Sequence, residues 1–398
     1  MRNYILILLL LFCVKINAQN IQGKVIDEIT GATVPFVSIN LIGTNTTTVT
    51  NENGDFIIKV PALPAKLRFS HVSYLTAEVS IDQRENNLLV KFKPAAINLK
   101  EVSIDPNRGL KLLKQALELA NRYKLEDYFF NAFYRQLSTI DNNPSQIHEI
   151  FYDLRWNVNA TDGWIAKQTR FADRKDRIKF SLNNQSYFTF ISSGYLIDNK
   201  KNAFINLKNL EKYTVEIENY IEQANQDIAV ISCKLKKPRK NQYYTNSKYY
   251  IGVDDGKVYK LENSIFNLPL SFDGGIDLKF PPIATTISTF KNTGGPITVL
   301  ESVATKMYLS LNFAWPLNLQ DVRFNVNSLL TILNEDENIK ANNFSAINKN
   351  VKDQNVIESV KYNADFWKNN PVVKQTALED KFIKMMESQN AFGTMINP

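Results

Sequence analysis

Apolar–polar alternation, broken at intervals by Asn-Gly and Asp-Gly, runs through most of this chain and confines it to antiparallel sheets. Val37, Ile39 and Leu41 fall on one face of an early segment, and Ser38 and Asn40 on the other. Asn53-Gly54 then supplies the positive φ of a tight turn, and Phe56 to Val60 forms the return strand, closed by Pro61. The threonine run Thr46–Thr48, leading into Val49-Thr50, reads as an exposed, edge-like strand. Leu67, Phe69, Val72 and Tyr74 continue the pattern. Several short strands at this spacing predict a β-sandwich of the seven-strand type.

A different unit precedes this one. Arg2, the apolar run Tyr4–Val14 and the small residue Ala18 describe a secretory signal peptide over residues 1–18, with cleavage after Ala18. The run is short of the roughly 20 residues that span a bilayer. Cys13 leaves with the signal, and the mature chain keeps Cys233 alone, so no internal disulfide can form. Cys233 lies in the alternating stretch "AVISCKL" and reads as a buried, inert thiol. The mature chain is therefore expected to be exported, to the periplasm or the periphery of the outer membrane, with no transmembrane span.

Beyond residue 98 the strands lengthen. Tyr128–Ser138, His148–Val158, Tyr213–Gln223, Asp227–Lys236, Ser247–Val253, Lys257–Phe266 and Ile297–Leu311 all carry strand patterning, and Asp254-Asp255-Gly256 joins two of them as a hairpin. Asp105-Pro106 opens a helix near residues 106–122, with Leu110, Leu113, Leu117 and Ala120 as an apolar stripe suited to packing on a sheet. A second helix is expected near 376–392, opened by a capping box of Thr376 and Glu379, with Phe366 and Trp367 before it as anchors onto the sheet. Ile332–Asn355, rich in Asn, Glu and Lys, reads as a loop. The fold class is mainly β with some α. Residues 19–97 form the sandwich, and 98–398 form a large curved antiparallel sheet with packed helices, in the manner of a half barrel.

The first unit carries a resemblance. Gly23, Val25, Asp27, Val37, Ile39, Leu41, Gly43, Thr50, Asn51, Gly54, Phe56 and Tyr74 follow the pattern of the carboxypeptidase-D regulatory-like domain, a transthyretin-like sandwich. Ser73 stands where glycine is common in that family, and Asn51 where aspartate is. The resemblance implies an accessory module rather than a catalytic one. "LKEVSI" (Leu99–Ile104) is similar to the segment that follows such domains in TonB-dependent transporters. The chain beyond Ile104 is too short for their 22-stranded barrel, which needs about 220 residues in strands alone, plus plug and loops. The later hairpins resemble the half-closed sheet of outer-membrane lipoprotein carriers. The whole order resembles Bacteroidetes envelope proteins that carry the same N-terminal sandwich.

Chemistry is sparse. The chain has two histidines, His71 and His148, and neither begins a zinc-peptidase motif. No G-x-S-x-G, C-x-x-C, P-loop or G-x-G-x-x-G occurs. Glu149, Asp153 and Glu262 are the candidate acids, and each is expected to face water on a strand. The basic clusters Lys234–Lys240 and Arg170–Lys179 are expected as solvated hairpin loops, and the net charge of +7 forms no one-signed stripe for nucleic acid. No catalytic, metal or cofactor residue is assigned. The expected role is a non-enzymatic envelope protein that binds a partner protein or an apolar ligand, with Phe151, Tyr152, Trp156, Trp164, Tyr187, Phe188 and Phe190 lining a concave sheet face. The alternative is a glycan or peptide hydrolase that uses an unrecognised carboxylate pair.

Overall fold

The computed structural model describes residues 19–85, 87–98, 107–174, 184–197, 204–270, 272, 274–314, 316–370, 372–389 and 391–392. The signal segment, Asp105-Pro106 and the basic residues Lys175, Arg177 and Lys179 lie outside the described residues.

The N-terminal strands pair into two facing sheets. β1 (Gln19–Asp27) lies between β4 (Asp55–Val60) and β7 (Leu88–Phe92). β2 (Ser38–Leu41), β3 (Thr47–Val49), β5 (Ala65–His71) and β6 (Tyr74–Ile81) form the other sheet, in the order β3-β2-β5-β6. Ile21, Val25, Val37, Ile39, Phe56, Leu67, Phe69 and Phe92 fill the space between them. The polar residues of the sequence pattern hold the turns. Asp27 accepts the backbone N–H groups of Ile29 (2.9 Å) and Thr30 (2.7 Å), and also the Tyr74 hydroxyl (2.9 Å). Thr50 Oγ1 accepts Val37 N–H and donates to Val34 O, each at 2.9 Å. Gly54 has φ +73°, and a Cβ there would lie 2.6 Å from Val25 O, so the turn requires glycine.

The second unit is one antiparallel sheet. Its strands are β8 (Ile97–Asn98), β9 (Tyr128–Ile140), β10 (Asn143–Trp156), β11 (Thr161–Asp173), β12 (Tyr213–Glu222), β13 (Asp227–Leu235), β14 (Tyr244–Gly252), β15 (Val258–Phe266), β16 (Ile276–Leu278), β17 (Ile283–Lys291), β18 (Val299–Phe313), β19 (Leu319–Glu335) and β20 (Ser345–Ala346). The order is β20-β11-β10-β9-β19-β18-β17-β15-β14-β13-β12-β8, with β16 beside β18. Among the described residues the sheet has thirteen strands, and its two faces are covered differently.

The inner face carries α1 (Arg108–Arg122) and α2 (Gln185–Ile191). α1 buries Leu112, Leu113, Ala116, Leu117 and Ala120 against the sheet, together with Tyr134, Tyr152, Trp156 and Leu330. The outer face carries the sandwich, α4 (Ala364–Asn369) and α5 (Ala377–Ser388). Trp367 on α4 packs in one cluster with Phe133 and Val373. Thr376 and Glu379 close the capping box of α5.

A row of small polar side chains crosses the inner face. Ser247, Asn263, Thr286, Thr305, Ser328, Gln136 and His148 stand directly opposite one another on successive strands, from β14 to β10. All seven are buried. Ser247 Oγ donates to Asn263 Oδ1 (2.7 Å), Asn263 Nδ2 to Thr286 Oγ1 (3.1 Å), and the Thr305 and Ser328 hydroxyls share a bond of 2.6 Å. α2 sits on this row. Gln185 Nε2 donates to Thr305 Oγ1 (2.9 Å), and the Thr189 and Ser328 hydroxyls are bonded at 2.8 Å.

Three expectations change. The aromatic residues do not line one open face: Tyr152 and Trp156 are buried in the core, and Phe151 lies on the outer face against Phe133, Phe366 and Trp367. Tyr187, Phe188 and Phe190 belong to α2. The segment read as a loop from Ile332 begins as the end of β19, then supplies β20 and α3 (Asp353–Glu358), which pack on β11. The threonines of β3 are a contact rather than a free edge: Thr47 Oγ1 donates to Ile332 O and Thr48 Oγ1 to Val372 O, each at 2.9 Å. Polar patterning reads the same whether its partner is water or another strand's carbonyl.

Candidate functional site

The structure pairs off the candidate acids one by one. Glu149 is fully buried, where the sequence placed it in water. Its Oε1 accepts Arg135 Nε at 2.6 Å, and its Oε2 is bonded by Arg170 Nε. Burial opposes its charge, but Arg170 and Arg135 overcome that cost and hold its pKa below the ordinary value. Arg170 is thus no part of a solvated loop. It stacks at 4.7 Å on Trp367 and 4.9 Å on Phe392, while Arg135 donates to Val373 O at 3.1 Å. Asp153, also buried, accepts Asn131 Nδ2 at 3.0 Å and faces Lys167 at 3.1 Å. Glu262 accepts the Tyr250 hydroxyl at 3.1 Å and Lys260 at 2.7 Å. Glu149 and Asp153 share one strand face four residues apart, about 13 Å along a strand, beyond the ~5–9.5 Å of a glycosidase pair. Among the described residues no group of His, Cys, Asp and Glu is placed to hold a metal.

His148 is buried at the end of the polar row. Neither ring nitrogen has a hydrogen-bond partner among the described residues, and burial lowers its pKa to about 3. Cys233 is fully buried, and burial raises its pKa far above the ordinary thiol value. Sequence reasoning missed Asp353. It sits in the first turn of α3, fully out of water, bonded by Ser186 N–H at 3.1 Å and by the Ser186 hydroxyl. Burial raises its pKa to about 7. Nothing local in its sequence neighbourhood marks it.

The open site lies where the sandwich meets the outer face of the sheet. Val72, Leu75 and Ala95 pack there with Ile221, Ile228, Val230 and Tyr250. Gln223 Nε2, at the β12–β13 turn, crosses the seam to donate to Val72 O (2.8 Å) and Tyr74 O (3.0 Å). Beside this contact opens a cleft of about 510 Å³. One wall is the outward face of β2 and β5, with Asn40, Arg68, Ser70 and His71. The other is the turn Gln223–Gln226 with Tyr259, Lys291, Asn292 and Glu301.

The polar groups of the cleft are held in place. His71 Nδ1 accepts Ser73 N–H at 3.2 Å, which leaves the proton of the neutral ring on Nε2. Burial, aided by the charge of Lys260, lowers the His71 pKa to about 3. The Tyr259 hydroxyl donates to Asp255 (2.7 Å) and accepts Gln226 Nε2 (3.1 Å) and Asn292 Nδ2 (3.2 Å). Burial raises the pKa of Glu301, and the nearby hydroxyls of Ser38 and Thr289 and the charge of Lys291 offset that rise in part. Phe36, at the mouth, holds φ +57°, a strained value for a bulky side chain.

These residues come from positions as distant as Asn40 and Glu301, so no local motif could reveal the cleft. The module that forms its first wall is the part of the chain with a recognisable pattern. Residues 21–104 match the family model of the CarboxypepD_reg-like domain. The CarboxypepD_reg-like domain thus supplies Asn40, Arg68 and His71 to the cleft. A search of curated proteins finds no match. Among solved structures, the chain is similar to a domain described as an outer membrane lipoprotein-sorting protein from Vibrio parahaemolyticus, with 11% identity over 63% of this chain and 98% of that one, at a TM-score of 0.27. A LolA superfamily protein from Nitrosomonas europaea follows, with 9% identity over 57% and 96% and a TM-score of 0.22. A membrane-associated protein of unknown function from Bacteroides fragilis covers 80% and 98% at 10% identity, with a TM-score of 0.16. Scores this low carry no function across. No helix among the described residues is long and apolar enough to cross a membrane.

Proposed function

We propose that the protein is a non-enzymatic, exported binding protein of the cell envelope, in which the CarboxypepD_reg-like domain and the sheet present one cleft to a ligand or partner. The observation that carries this reading is the composite build of the cleft. Residues of both units line it, and Gln223 of the sheet donates across the seam to Val72 O and Tyr74 O of the sandwich. A spacer module would need no such shared polar floor. The inner face of the sheet favours the cleft over an apolar pocket there, because α1, α2 and the aromatic core fill that face. The candidate acids favour binding over turnover, since each is matched to its own donors.

The test is a ligand screen by thermal shift on the mature chain. A true ligand raises the melting temperature of the native protein, and Tyr259→Ala reduces that rise. A parallel panel of peptide and glycan substrates should give no turnover. Hydrolysis abolished by a single Asp or Glu substitution would refute the reading.

A further inference from the structure

The cleft is rich in amides. Arg68 shares the Glu78 carboxylate with Lys66, through two bonds of 3.0 and 2.9 Å, and His71 is neutral. The groups its walls leave open are side-chain amides, from Asn40, Gln223 and Asn225, with the His71 Nε2 proton beside them. Each amide carries both donors and an acceptor. Asn40 spends Nδ2 on Ser38 (3.2 Å) and Gln223 spends Nε2 across the seam, so in each the carbonyl oxygen has no bond among the described residues. Asn225 is exposed and has no internal bond among the described residues.

Acceptors fixed at their nitrogen end, next to a neutral N–H donor, suit a ligand whose every edge both donates and accepts. Hydroxyl groups do this; acyl chains and carboxylates do not. The half-buried rings of Phe36 and Tyr259 add apolar surface with a polar rim, which suits the C–H face of a sugar ring. The backbone strain at Phe36 is the cost of holding that ring at the mouth. The volume lies within the ~300–1,000 Å³ of small-molecule sites.

We infer that the junction cleft binds a polyhydroxylated ligand, a short oligosaccharide, read by Asn40, Gln223, Asn225 and His71. The inference rests on the proposed binding role of the cleft and names its ligand class.

The experiment is calorimetric titration of the mature chain with neutral oligosaccharides built from hexoses, pentoses and N-acetylhexosamines. A matched panel contains uncharged peptides and detergent-solubilised acyl chains. At least one saccharide should bind, and Asn225→Ala should weaken it three-fold or more without changing the melting temperature. Asn40→Leu should weaken it ten-fold or more, with circular dichroism confirming an unchanged fold. If peptides or acyl chains bind, with sensitivity to these variants, and no saccharide does, the ligand class is wrong and the binding role stands. If no compound responds to either variant, both fall.

Discussion

At the residue scale, three titratable groups shifted by burial set how stability follows pH. His148 has a folded pKa of about 3 against an unfolded value near 6.5. Between these values the unfolded chain binds one more proton, so stability falls as pH drops, by about 1.4 kcal/mol per unit. His71 acts in the same sense. Asp353 acts in the other. Its folded pKa of about 7 lies above its unfolded value, so the folded state binds the extra proton and stability rises as pH falls from 7 towards 4. Asp353→Asn should therefore steepen the acid loss between pH 6.5 and 4.5, and His148→Phe should flatten it; urea midpoints across that range decide. Glu149 is a separate case. Glu149→Ala leaves Arg135 and Arg170 buried with only the longer pairs to Glu379 (3.6 Å) and Glu387 (3.5 Å), at a cost of about 3 kcal/mol, read by urea unfolding at pH 7. A loss under about 1 kcal/mol there would mean that water reaches the two guanidinium groups. The sequence could not show this triad, because Arg135, Glu149 and Arg170 meet only through the register of three strands.

At the element scale, periodicity made most strands and both long helices legible. The stripe Leu113–Leu117 of α1 is buried to the last atom, and Leu117→Ala should cost about 2–5 kcal/mol. For α5 the capping box was readable from Thr376 and Glu379 alone, since the motif is local. Thr376→Ala should cost about 1 kcal/mol, and a melting curve checks both variants. α2 was not legible. Its polar residues Gln185, Ser186 and Thr189 point into the protein, where Gln185 and Thr189 bond hydroxyls of the row and Ser186 bonds Asp353. Polar side chains that face a polar row carry none of the apolar period by which a packed helix is recognised. β20 and α3 escaped for a related reason: each is short, and each is ordered by β11 rather than by its own sequence.

At the scale of the whole molecule, the strap Val372–Lys374 holds sandwich and sheet together. Thr48 and Asn51 of the sandwich bond Val372 O (2.9 Å) and Lys374 O (3.1 Å), and Arg135 of the sheet bonds Val373 O (3.1 Å). Thr48→Val with Asn51→Leu removes the two sandwich bonds to the backbone of this clasp and leaves Lys374 Nζ on Gln22 Oε1 (2.6 Å). Scanning calorimetry should then resolve a separate transition for the sandwich, where the native chain unfolds in one. The fold class was legible from alternation, but the docking was not, because a strand's outward threonines are patterned alike for solvent and for a carbonyl. The polar row across the inner face has a consequence of its own for assembly. Alternation guards a sheet against slipping by one residue, because every side chain would change face. It is blind to a slip of two. Five strands, β14, β15, β17, β18 and β19, carry a buried polar residue bonded along this rung and close that gap, since a strand displaced by two drops an unmatched hydroxyl or amide among aliphatic neighbours, at about 1–3 kcal/mol each time. The row works as a proofreading line for strand alignment.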